Sequence, residues 1–225
     1  MGARAFVWFG GALFVAALGV CAWTYTFVLG RAGPTGGWPA LAADAALITV
    51  FALHHSLFAR ESVKDQLARA VPPPLLRSAY VWIASLLLIL VCLAWRPIGG
   101  ELYLLTGVAA IACAAVQLLG LGITARGVAR IDPLELAGIH PASQTQGLQV
   151  TGPYRWVRHP LYLGWVLMVF GVAHMTRDRL AFAAITTVYL VVAIPWEERS
   201  LRRSFGEDYA RYMRDVRWRL IPFIY

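Results

Sequence analysis

The chain has 225 residues, 59% of them hydrophobic and only 14% charged, with a mean hydropathy of +0.62. A soluble globular domain carries nearer a quarter charged residues, and several apolar stretches approach the ~20 residues that a bilayer-spanning helix requires, so composition excludes an ordinary soluble fold. The net charge of +8 does not argue for nucleic acid, because the basic residues sit between apolar spans, where they orient helices and meet anionic lipid.

The expectation is an all-α, polytopic integral membrane protein of five to six transmembrane helices, built as one domain over 1–225 with a four-helix N-terminal half (about 1–123) and a C-terminal half (about 124–225). The first helix is expected over 6–29, ended by "GRAGPTGG". Its opening resembles a signal peptide, with Arg4 before an apolar run, but no small-x-small cleavage site is evident, so a retained helix is expected. "MGARAF" lacks the Ser or Thr of a myristoylation signal. The second helix is expected over 39–58, the third over 77–95 after "VPPP", and the fourth over 102–123. A polar connection over 124–158 follows. The last apolar region, 160–196, is broken by "HMTRDR" and reads as a helical hairpin whose first arm, ~15 residues or ~23 Å by helical rise, is short for a span. Cys21, Cys92 and Cys113 each fall inside an apolar span without metal-ligand spacing and read as small core hydrophobes, and no metal is expected.

Charge sets the orientation. Arg60, Lys64, Arg69 and Arg77 mark one basic segment, Arg126, Arg130, Arg155 and Arg158 a second, and Arg199 to Arg219 a third. The intervening turns hold few basic residues. Alternation places both termini in the cytoplasm, with six crossings, and fits a bacterial inner membrane. His54 and His55, Gly120 and Gly122, "RHP" and "PWEERSL" then all fall on the cytoplasmic side, where a soluble cofactor could reach them.

Each of these features has two readings. In "GPYRWVRHPLYLGW", Pro160 suits the first turn of a helix, and Arg158 and His159 add charge and donors where an anion is favoured; equally, both could face lipid headgroups. Glu197 and Glu198 could pair with Arg202 and Arg203 at i+4/i+5 spacing, or hold the amine or ribose hydroxyls of a zwitterionic ligand. "GLG" at 120–122 could pack helices closely or admit a ligand to the backbone. His54 and His55 sit at membrane depth, where ionisable groups are functional candidates, although either could snorkel. The aromatic and arginine-rich tail reads as an interfacial segment on anionic lipid.

Taken together, "TGPYRWVRHPLYLGW", "EERSLRRSFGEDYARYM" and "IPFIY" resemble the C-terminal half of the isoprenylcysteine carboxyl methyltransferase superfamily. "FALHHSLFARESVKDQL", "VPPPLLRSAYVWIASLLLIL" and "WRPIGG" look like its branch of methanethiol S-methyltransferases and NnrU-like proteins. The resemblance runs from about residue 45 to the end. It implies an S-adenosylmethionine-dependent membrane methyltransferase acting on a small or lipophilic acceptor, by S-methylation of a thiol or O-methylation of a carboxylate. It assigns Leu148, Gln149, Tyr154, His159, Pro160, Tyr162, Glu197 and Glu198 to the cofactor pocket. His55 is the candidate base and Arg158 the candidate for stabilising an anionic acceptor. Two departures stand out: the prenylcysteine enzymes carry an arginine shortly before the double glutamate, where this chain has Ala193 and Ile194, and the thiol-methylating branch carries glutamine where His54 stands. Two other classes share parts of the pattern: NADPH-dependent sterol reductases, and a non-catalytic NnrU-like membrane protein.

Overall fold

A computed structural model describes residues 2–58, 63, 66–69, 71–140 and 147–225. Arg60 and Lys64, counted in the charge pattern, lie outside the described residues. Helix α1 (Gly2–Trp23) continues into a π-helical turn (Thr24–Val28), followed by α2 (Gly37–Phe58) and α3 (Pro73–Ala94). Strand β1 (Glu101–Leu104) precedes α4 (Gly107–Val128) and a single helical turn, α5 (Pro133–Leu136). A 3-10 turn (Gly152–Arg155), α6 (Pro160–Phe170), β2 (His174–Thr176) and the long α7 (Arg177–Asp215) complete the order.

Among the described residues, five helical segments are long and apolar enough to cross a membrane: 2–28, α2, α3, α4 and α7. Their apolar side chains point outward as well as inward. Trp8 is 61% exposed, Leu93 76% and Val108 83%, which in water would be a costly apolar surface and in a bilayer is the lipid-facing one. The chain is therefore an all-α integral membrane protein. The expected short arm is shorter still, since α6 has 11 residues, about 16 Å by helical rise. Residues 171–176 are non-helical and end in β2, which pairs with β1. That pairing corrects the expected start of the fourth helix at 102: Glu101–Leu104 is strand, Leu105 donates to the Ala173 carbonyl at 2.8 Å, and the helix begins only at Gly107, whose φ is +58°.

The chain divides into two compact units, 1–101 with 133–144 and 176–178, and 102–132 with 145–175 and 179–225. In the first, α3 packs on α1 and α2. Trp82 donates to the Phe6 carbonyl at 3.0 Å and stacks on the Phe6 ring. Asp178, buried, accepts from Trp95 Nε1 (2.8 Å) and from the Ile98 and Gly99 N–H groups (both 2.9 Å), so this acidic residue caps a loop rather than facing water. Asp44 likewise accepts from the Arg96 N–H at 2.9 Å.

In the second unit, α4 packs along α6 through two facing glycines. A Cβ on Gly120 would meet the Gly164 carbonyl at 2.7 Å, and one on Gly164 would collide with Thr124 Oγ1 and the Gly120 carbonyl. A Cβ on Gly122 would meet nothing within 4 Å. Of the two readings of "GLG", close packing therefore belongs to Gly120, and Gly122 is dispensable to it. Helix α7 carries Pro195, which cannot donate to the preceding turn, and breaks at Gly206, where φ is +52° and ψ −124°. Gly164→Ala is expected to lower stability by about 1–3 kcal/mol, the usual cost of overpacking, while Gly122→Ala changes it by less than about 0.5 kcal/mol; thermal unfolding of both variants in the same detergent measures the contrast.

Candidate functional site

The tail is laid onto the start of α6 by main-chain bonds before any side chain is counted. The N–H groups of Arg158 and His159 donate to the carbonyls of Trp218 and Arg219, both at 2.9 Å. Pro160 is fully buried at the first helical position, where its missing N–H costs nothing. The His159 carbonyl then accepts from the Tyr162 and Leu163 N–H groups at 3.1 Å. The Tyr162 ring lies parallel to the His159 imidazole, 5.4 Å between centroids.

Around this backbone junction sits a buried ionic network. Arg158 Nε donates to Glu198 Oε1 at 2.7 Å, and its Nη1 donates to the carbonyls of Val216 (2.7 Å) and Arg217 (2.8 Å). Arg219 Nε reaches the other oxygen of Glu198 at 3.2 Å. Glu198 is 4% exposed and Arg158 8% exposed, so two positive groups compensate one carboxylate away from water, as a buried charge requires. Arg202, the nearer partner by helical spacing, instead meets Met213 Sδ at 3.3 Å.

Glu197 behaves differently from its neighbour. Its side chain is 43% exposed. Its Oε2 accepts from the Tyr162 hydroxyl at 2.8 Å and lies 3.4 Å from His159 Nδ1. His159 Nε2 lies 3.5 Å from Glu198 Oε1, an ionic contact without hydrogen-bond geometry, and among the described residues it is buried with no hydrogen-bond partner. Burial favours the neutral imidazole, but the two carboxylates outweigh it, and the pKa of His159 is raised above its ordinary value. Burial and the neighbouring Glu197 also push the Tyr154 phenol up.

A second cluster adjoins within the same unit. Tyr209, Tyr212 and Val216 are buried together, with Leu148 and Tyr154 packed against them. The Tyr212 hydroxyl donates to the Tyr154 carbonyl at 2.7 Å. The Tyr209 hydroxyl is buried and has no hydrogen-bond partner among the described residues.

Of the residues singled out by sequence, Arg158, His159, Tyr162, Glu197 and Glu198 are in direct contact, Pro160 starts the helix that carries them, and Leu148 and Tyr154 join through the tyrosine cluster. Gln149 makes a local contact to the Gly147 carbonyl at 3.5 Å. His55 belongs to the first unit, where its ring lies 5.0 Å from Phe51 and 5.3 Å from Tyr80. Sequence reasoning missed Tyr209, Tyr212 and Arg219. The Tyr-x-x-Tyr spacing in "EDYARYM" was the available signal for the first two; Arg219 was hidden among arginines read as lipid-facing. Two open cavities, of about 560 and 600 Å³, are lined by Arg126, Gly152, Pro153, Arg155 and Trp156, and by residues of the 148–155 and 208–216 segments. Neither wall includes His159 or Glu197.

The geometry is that of a membrane-embedded helical fold with a histidine–glutamate pair at the edge of a buried ionic network. Comparison with known proteins gives its class. A family model described as phospholipid methyltransferase (PEMT) matches residues 106–208. The methanethiol S-methyltransferase of Crocosphaera subtropica is 38% identical over 194 residues, covering 82% of this chain and 76% of the relative. That of Mycobacterium tuberculosis is 34% identical over 195 residues, covering 82% and 79%. A probable protein-S-isoprenylcysteine O-methyltransferase of Oryza sativa subsp. indica is 38% identical over 76 residues, 32% of this chain and 39% of the relative. No solved structure matches. The chain belongs to the membrane methyltransferase family that holds the methanethiol S-methyltransferases and the isoprenylcysteine O-methyltransferases.

Glu198→Gln leaves Arg158 buried with a weakened counter-charge and is expected to cost about 3–5 kcal/mol, against less than about 1 kcal/mol for the half-exposed Glu197→Gln, read as midpoints of thermal unfolding in detergent. The raised pKa of His159 gives a second test. A folded-state pKa above the unfolded value of about 6.5 stabilises fully below that value, and the contribution is lost as pH rises through the folded pKa. Thermal stability should therefore fall as pH rises from 6.5, and the fall should be shallower in His159→Asn.

Proposed function

We propose that this chain is an S-adenosylmethionine-dependent methyltransferase that S-methylates a small thiol. The observation that carries the cofactor reading is a set of polar atoms with unused bonding capacity in one unit: His159 Nε2, the Tyr209 hydroxyl and the half-exposed carboxylate of Glu197. These suit a zwitterionic nucleoside. The Glu197 carboxylate accepts from an amine or from ribose hydroxyls, and the protonated His159 and Tyr209 donate to a carboxylate. Tyr154, Tyr162 and Leu148 supply apolar and aromatic walls; Gln149, Pro160 and Glu198 complete the residues assigned to the pocket. When bound, the sulfonium of the cofactor supplies an already activated methyl group, so the protein's task is mainly to orient donor and acceptor.

The role given to Arg158 is narrower than the sequence suggested. Its Nε and Nη1 are committed to Glu198 and to two tail carbonyls, so we assign it as a positioning residue that fixes the His159 backbone and the tail. A thiol, with a free pKa near ~8.5, reacts as thiolate and needs a proton acceptor. His55 is the proposed acceptor, through a ring nitrogen. The similarity to relatives named for methanethiol, over most of the chain, favours a small thiol over a prenylated cysteine, and the absence of an arginine at 193 and 194 points the same way. In this reading the site opens to the cytoplasm.

Purified protein offered labelled cofactor with volatile thiols, prenylated cysteine and phospholipid in parallel should label the thiol. S-adenosylhomocysteine should bind the wild type, and roughly tenfold more weakly to Glu197→Gln, the loss of one charge-assisted contact. His55→Ala should lose turnover while keeping that binding. Retained turnover would remove His55 as the base, and binding of NADPH in place of S-adenosylhomocysteine would sink the methyltransferase reading.

A further inference from the structure

The cavity of about 560 Å³ belongs to a different chemistry from the ionic network. It is lined by Arg126, Gly152, Pro153, Arg155 and Trp156. Arg126 stands in the last turn of the spanning helix α4, and Arg130 follows two residues after its end, where a membrane helix leaves the hydrocarbon. Gly152 has φ +63°, and a Cβ there would lie 3.3 Å from Arg130 Nε and 3.7 Å from Nη2. The bare glycine thus lets the Arg130 guanidinium lie over the backbone of the cavity wall. Arg155 comes from the adjoining 3-10 turn.

All three arginines are exposed, and none makes an ion pair or side-chain hydrogen bond among the described residues. Arg158 and Arg219, in the same unit, are by contrast paired with Glu198. Among the described residues the cavity wall carries no carboxylate; Arg155 also borders the second cavity, with Asp208, Arg211 and Asp215, and there Asp208 is 3.6 Å from Arg211. Arg126 and Arg155 line the hollow and Arg130 lies against Gly152 of its wall; like charges so placed repel one another unless an anion sits among them, and guanidinium forks match phosphate oxygens bidentately. Trp156, 58% exposed on the same wall, is the amphipathic ring that membrane proteins place at headgroup depth.

We propose that Arg126, Arg130 and Arg155 form a binding site for the phosphate of an anionic phospholipid headgroup, with Trp156 and Pro153 against its glycerol and upper acyl segments. None of these residues is among those assigned to methyl transfer, and the site does not depend on what those residues transfer. Native mass spectrometry of the protein in detergent, titrated with dioleoylphosphatidylglycerol, tests it. The wild type should retain bound lipid, and Arg126→Gln/Arg155→Gln should retain it roughly tenfold less well, a loss in the range of charge-assisted contacts. Arg203→Gln/Arg214→Gln removes the same charge from exposed positions away from the cavity and should retain lipid as the wild type does, with far-UV circular dichroism confirming that both pairs keep their helix content. Equal loss in the two pairs, or no loss in either, overturns the site. So does phosphatidylcholine binding as tightly as phosphatidylglycerol, or inorganic phosphate displacing the lipid at millimolar concentration, which would make the natural occupant a soluble anion.

Discussion

Glu198 is the group on which the C-terminal unit depends, because it is a carboxylate held out of water by two arginines that come from distant parts of the chain. Arg158 approaches from the start of α6 and Arg219 from the tail, at 2.7 and 3.2 Å. A carboxylate so buried is tolerable only while both partners stay, and Arg158 is itself held by the carbonyls of Val216 and Arg217. The network therefore fastens three segments at one point: the RHP turn, the polar half of α7 and the tail. His159 is presented to Glu197 as a by-product of that fastening, since its own N–H is tied to the Arg219 carbonyl.

A division of labour follows between residues adjacent in sequence. Arg158 and Glu198 face inward and close the structure; His159 and Glu197 meet at its edge, where one carboxylate is still accessible. Aromatic groups fill the space between these roles. Tyr162 stacks on His159 and donates to Glu197, and Tyr212 ties the 3-10 turn to the end of α7. Contacts of this kind hold the His159 and Glu197 side chains in a single arrangement.

Much of this was legible in the sequence, for identifiable reasons. Apolar runs of span length reveal membrane helices because hydrocarbon tolerates little else. Charges abutting such runs, as in "RHP" and "EERSL", stand out because their burial demands partners. What sequence could not give was which partner. Helical spacing offered Arg202 and Arg203 to the glutamates, whereas Glu198 found Arg158 forty residues away, a choice made by tertiary packing. Glycines were similarly ambiguous: Gly120 and Gly122 look alike in "GLG", and only the α4–α6 contact separates them. The β1–β2 pair was missed because Glu101–Leu104 is a short run whose partner lies seventy residues on, beyond any local periodicity.

The adjacency of Glu197 and Glu198 has a geometric meaning of its own. Successive residues on an α-helix point about 100° apart, so a single turn of α7 sends one carboxylate to the interior and the next to the rim. The azimuth of α7 thus selects which acid is structural and which is available. Pro195, two residues earlier, lies where a helix most readily changes its winding. One residue inserted there would turn Glu197 to the direction that Glu198 now takes, among the arginines, and would carry Glu198 about 100° past it. In this chain the phase of one helix decides the surroundings of both acids as much as the identity of the side chains around them does.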